Sequence, residues 1–94
     1  MKHYEFLKLT PDADVVEVQQ KVWKAYKKLD EELDWLNLPV VYRSCREGDD
    51  ADIMAVVDIE REELLETYLK HPLYAELVAK LEKVVVKRSA FDHY

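Results

Sequence analysis

Val15, Val18, Val22, Tyr26, Leu29, Leu33 and Leu36 recur at steps of three and four residues, and this stripe limits what the chain can become. With lysines and acids opposite, it predicts an amphipathic helix that must bury one face against a second layer of structure. Trp23 and Ala25 flank the stripe. The helix is expected to begin near Val15, because Asp14 can accept from first-turn amides while Glu17 reaches back, as in a capping box.

The second layer comes from runs of a different period. "KHYEFLKL", Lys2 to Leu9, alternates Tyr4, Phe6 and Lys8 on one face with His3, Glu5, Leu7 and Leu9 on the other, and reads as a strand. "NLP" ends the connection after the helix. "VVYRSC" and "ADIMAVVDI" are β-branched runs on either side of the turn "EGDD" and read as a hairpin. "EREELLETYLK" is a second helix, interrupted because Pro72 lacks an amide and pushes His71 out of the α region. "PLYAELVAKLEK" resumes it, and "VVVKRSAFDHY" supplies a last strand.

The order β-α-β-β-α-β predicts an α+β, ferredoxin-like domain over residues 1–94, a four-stranded antiparallel sheet covered on one face by two helices. The other sheet face, with Tyr4, Phe6, Met54 and Val56, is left without a helix, so a homodimer with the sheets face to face is expected.

Composition narrows the function. A net charge of −6 opposes nucleic acid and anionic membrane surfaces as partners. Cys45 is the only cysteine, which rules out an internal disulfide and a thiolate zinc site. The start of the chain breaks its apolar residues with His3, Glu5 and Lys8, unlike a signal peptide, and no run approaches the roughly 18 apolar residues of a spanning helix. The expected location is the cytoplasm.

"KHYEFLKL", "ADIMAVVDIEREELLETYLKHPLY" and "KRSAFD" resemble the stress-responsive α/β-barrel (Dabb) family of dimeric α+β barrel proteins, with "YLKHP" after an acidic helix start as the most specific part. The resemblance implies the same fold, a barrel formed across a homodimer, a pocket between sheet and helices, and no cofactor. One plant branch, of the olivetolic acid cyclase type, closes linear polyketides by aldol condensation. That branch has a histidine at the place of His3, a tyrosine at Tyr68 and a histidine at His71. Its H-P-x-H pattern ends in a second histidine, which with the tyrosine forms the acid/base pair. Tyr74 stands there in this chain, so half of the pair is missing.

Physical chemistry assigns roles to the same residues. His71 is placed to cap the resumed helix, whose free amides at Leu73, Tyr74 and Ala75 can hold an anion, or to exchange a proton with substrate. Tyr68 is either a carbonyl-polarising donor or an amphipathic core tyrosine. Tyr74 is a donor or pocket wall, because a phenol of pKa about 10 is a poor base at neutral pH. His3 shares the helix-facing side of its strand with Glu5, a carboxylate that needs a partner there, and antiparallel pairing of first and last strands offers Arg88. Trp23 and Tyr26 are expected to line the pocket. His3, His71 and His93 match no common metal spacing, and no metal is expected. Two readings remain: a non-catalytic dimeric module that binds a small ligand or acts as a scaffold, and a cofactor-independent cyclase or lyase acting on polyketide-like carbonyl compounds.

Overall fold

A computed structural model describes residues 1–94. Strand β1 (Lys2–Leu9) leads into helix α1 (Val15–Glu32), followed by the hairpin of β2 (Leu36–Arg43) and β3 (Ile53–Ile59). A single 3-10 turn (Glu62–Leu64) runs into the short helix α2 (Leu65–Leu69), helix α3 (Pro72–Leu81) follows, and β4 (Val85–His93) closes the chain. The strands lie in the order β2-β3-β1-β4, and all three pairings are antiparallel. This is the expected ferredoxin-like arrangement.

The alternation in β1 sorts the faces as read from sequence. His3, Glu5, Leu7 and Leu9 are buried, as are Ile53, Ala55, Val57 and Ile59 of β3, beneath Val18, Val22, Tyr26 and Leu29 of α1 and Tyr74, Leu77 and Leu81 of α3. Tyr4, Phe6, Met54 and Val56 lie half-buried on the opposite face, flanked by the exposed Val40, Tyr42 and Phe91. Asp14 caps α1 through its side chain, which accepts from the Glu17 amide at 3.2 Å.

Several boundaries differ from the sequence reading: the helix read over "EREELLETYLK" is a 3-10 turn and the short α2, "VVYRSC" outruns β2, which ends at Arg43, and two differences lie around the start of β2. The helical stripe extends by spacing to Leu36, but α1 ends at Glu32, Leu33 is its extended C-cap, and Leu36 opens β2. "NLP", read as connection, lies inside β2. Pro39 is buried there without breaking the sheet because β2 is an edge strand, where the missing amide costs least. The register shifts between Asn37 and Val40, and Leu38 takes a positive φ of 54° in that irregularity. Gly48, the only glycine, has φ 85° in the β2–β3 loop, a conformation that side-chain-bearing residues rarely adopt.

Candidate functional site

Glu5 is the centre of the candidate site. It sits in mid-β1 on the helix-covered face, where an ionised carboxylate is tolerated only with partners. Its partners come from its own strand and four other elements. Oε2 lies 3.0 Å from the Tyr26 hydroxyl on α1, 2.5 Å from the Tyr68 hydroxyl on α2 and 3.1 Å from His3 Nε2, two residues along its own strand. Oε1 accepts from the Tyr74 hydroxyl on α3 at 2.8 Å and from Arg88 Nη1 on β4 at 3.3 Å. The Tyr26 and Tyr68 hydroxyls also contact one another, so three contacts share two phenolic protons. Arg88 Nη1 lies 3.1 Å from the Tyr74 hydroxyl as well.

His3 links this centre to β4. The β1–β4 register sets His3 opposite Asp92, and His3 Nδ1 is hydrogen-bonded to Asp92 Oδ1 while Nε2 faces Glu5. Its ring meets that of Tyr68 edge-on, centroids 5.3 Å apart. Each ring nitrogen thus faces a carboxylate, which favours imidazolium. No buried side-chain polar atom in the chain lacks a partner.

The electrostatics follow from this geometry. Burial works to raise the Glu5 pKa but is outweighed by the hydrogen bonds from His3, Tyr68 and Tyr74, which bring it down to about 2. Burial works to lower the His3 pKa and is outweighed by Glu5 and Asp92, so it rises. Tyr26 is pushed well up by burial and then by the Glu5 charge. Tyr68 is pushed up by burial and then by Tyr26 and Glu5. Tyr74 reaches about 12 through burial and Glu5, partly offset by Arg88. The carboxylate is therefore held ionised and the three phenols neutral at ordinary pH, with their protons directed at Glu5.

Of the residues singled out from sequence, His3, Glu5, Tyr26, Tyr68, Tyr74 and Arg88 meet in one cluster. His71 and Trp23 lie apart from it. His71 is the extended N-cap of α3: its Nδ1 accepts from the Leu73 amide at 3.0 Å, and its Nε2 lies 3.5 Å from Glu32. Trp23 is 41% exposed and lines a cleft of about 640 Å³ on the helix layer together with Lys24, Lys27, Leu73 and Leu77. Asp92 is a cluster member the sequence reading missed, although pairing β1 with β4 in register would have placed it beside His3. No three His, Cys, Asp or Glu side chains form a set that could hold a metal ion. No helix is long and apolar enough to cross a membrane.

The chain has no significant sequence match among curated proteins. Solved structures share its fold at low identity. A dimeric protein of unknown function and ferredoxin-like fold from Bacteroides fragilis is 18% identical, with a TM-score of 0.84 over 98% of this chain and 92% of that one. A dimeric ferredoxin-like protein from Thermobifida fusca is 19% identical, with a TM-score of 0.76 over 96% and 85%. A Dabb family protein from Mesorhizobium loti is 16% identical, with a TM-score of 0.73 over 99% and 93%. The sequence pattern of the stress responsive A/B barrel domain, Dabb, matches residues 1–94, and the chain belongs to that family.

Proposed function

We propose that this chain is a non-catalytic homodimeric module whose interior polar cluster stabilises the fold and does not turn over a substrate. The observation that carries the reading is the Glu5 carboxylate, which already occupies the three phenols that a substrate carbonyl would need. A catalytic tyrosine has to give its proton to substrate, and a general base needs a pKa near the operating pH. In this chain the phenols are raised, Glu5 is lowered to about 2, and His71 is engaged as a helix cap. The cyclase alternative requires Tyr68 to release Glu5 and a base to stand where Tyr74 is found.

The dimer half of the reading rests on the open sheet face. Tyr4, Phe6, Met54 and Val56 form an apolar centre with Val40, Tyr42 and Phe91 around it, a surface of the kind that a second copy covers. The relatives from Bacteroides fragilis and Thermobifida fusca are described as dimeric.

The test is an aldol-cyclisation assay on short linear polyketide thioesters, run with the wild type, Tyr68→Phe and Tyr74→His. The expected result is no acceleration by the wild type above that of Tyr68→Phe. Wild-type turnover that falls by about 10² or more in Tyr68→Phe would overturn the non-catalytic reading. Activity gained only in Tyr74→His would agree with it, since that variant restores the missing base.

A further inference from the structure

Arg88 uses one of its nitrogens, Nη1, for both Glu5 and Tyr74. Neither Nε nor Nη2 has a hydrogen-bond partner in the protein, and the side chain is 27% exposed. It lines an open groove of about 480 Å³ between α3 and β4, whereas Tyr26, Tyr68 and the other cluster members line neither this groove nor the cleft beside Trp23. The walls are Ala75, Val78 and Ala79, at helical spacing on α3, and Val85 and Val86 on β4. Lys87 and Glu82, of opposite sign, complete the lining.

The geometry points to this groove as a binding site for a monocarboxylate with a short apolar body, its carboxylate on the free edge of Arg88 and its tail along the alanine and valine walls. A guanidinium presents its donors in a fixed fork that matches a carboxylate, and Glu5 and Tyr74 hold this one from behind with its plane already positioned. Two small side chains, Ala75 and Ala79, keep the helix side of the groove open. On β4 the register with β1 skips Val86 between Val85 and Lys87, a bulge that leaves Val86 beside the groove while Arg88 returns to the helix-facing side. The groove volume lies within the ordinary range of small-molecule sites, about 300 to 1,000 Å³. The inference rests on the non-catalytic reading of the Glu5 cluster, because a ligand then meets Arg88 from outside and the cluster stays intact.

The experiment is an NMR amide titration with octanoate and, separately, 1-octanol, on the wild type, Ala79→Phe and Arg88→Gln. Octanoate is expected to give saturable shifts centred on Ala75, Ala79 and Val86, weakened about tenfold or more in Ala79→Phe, which fills the groove without touching the cluster. Octanol is expected to bind at least about tenfold more weakly than octanoate. Arg88→Gln, where folded, should bind the two alike; where it does not fold, Ala79→Phe and the octanol comparison decide. Absence of saturable octanoate shifts up to about 10 mM, shifts unaltered in Ala79→Phe, or equal binding of acid and alcohol by the wild type overturns the proposal. None of these outcomes bears on the cyclisation assay, so the two readings fail separately.

Discussion

Tyr74, from the helix that begins at Pro72, donates its hydroxyl to Glu5 Oε1 of the first strand at 2.8 Å, across 69 positions of sequence. Tyr26 and Tyr68 approach the other carboxylate oxygen, so three phenols tie all three helices to one side chain of the sheet. Such a cluster makes Glu5 the residue whose loss is felt most widely.

Replacing Glu5 by alanine leaves Arg88 and a charged His3 without their shared partner and three phenols without their carboxylate acceptor. Breaking a buried pair from one side costs about 3–5 kcal/mol. Urea denaturation should register a loss of that size in Glu5→Ala, whereas a loss below about 1 kcal/mol would mean the cluster contributes little to stability.

The pH dependence has two limbs of opposite sign. Glu5 is lowered from 4.5 to about 2, so the unfolded state binds the extra proton between those values. Its contribution is complete above about pH 4.5 and is lost as the pH falls towards 2. His3 is raised from 6.5, so its contribution is complete below that value and is lost as the pH rises through the folded pKa. Urea midpoints measured across pH should fall on both sides of a plateau between these limits, and His3→Gln should flatten the alkaline limb. An alkaline limb unchanged in that variant would contradict the assignment to His3.

Tyr26, Tyr68 and Tyr74, all in the Glu5 cluster, should resist ionisation, and Tyr94 is raised as well by its hydrogen bond to Glu62. Tyr74, raised to about 12 by burial and Glu5, and Tyr26 and Tyr68, pushed up by burial, are expected to give a delayed phase when tyrosinate absorbance is followed above pH 10. Glu5→Gln removes the negative charge and should bring part of this delayed absorbance down in pH.

His71 acts through the Leu73 amide, which identifies its part in the fold as capping. His71→Asn retains a side chain able to accept that amide and should stay within about 1 kcal/mol of the wild type, while His71→Ala should lose about 0.5–2 kcal/mol. Equal stability of the two variants in thermal or urea unfolding would remove the capping role.

Phe6 lies near the middle of the open sheet face, between Met54 on β3 and Ser89 on β4. In the proposed homodimer, Phe6→Asp places two unpaired carboxylates at the two-fold contact and should cost several kcal/mol, read by light scattering as dissociation to the monomer mass. A variant that keeps the dimer at wild-type stability would place Phe6 outside the interface.

The order of the elements, the two faces of β1 and the caps at Asp14 and His71 were legible because each depends on residues within a few positions of one another. The pairing of Glu5 with Arg88 was also legible, since a buried carboxylate demands a partner and antiparallel first and last strands leave few. The end of α1 was not. Leu33 and Leu36 continue the helical spacing by coincidence, with no glycine or proline between them to stop it, and the extended backbone at Leu33 and the burial of Leu36 in β2 take them out of the helix.

Local periodicity assigned Tyr26 to the buried face of its helix, because a repeat of three to four residues determines which side of a helix is apolar, while Tyr68 and Tyr74 were legible only as a donor or core residue and a donor or pocket wall. Their meeting at one carboxylate, and the absence of His71 and Trp23 from that meeting, depend on how far three helices sit from the sheet and how they are rotated against it. Those distances are set by the packing of the whole core, so the sequence by itself determined the layers and faces, and the tertiary structure decided which polar groups on those faces touch.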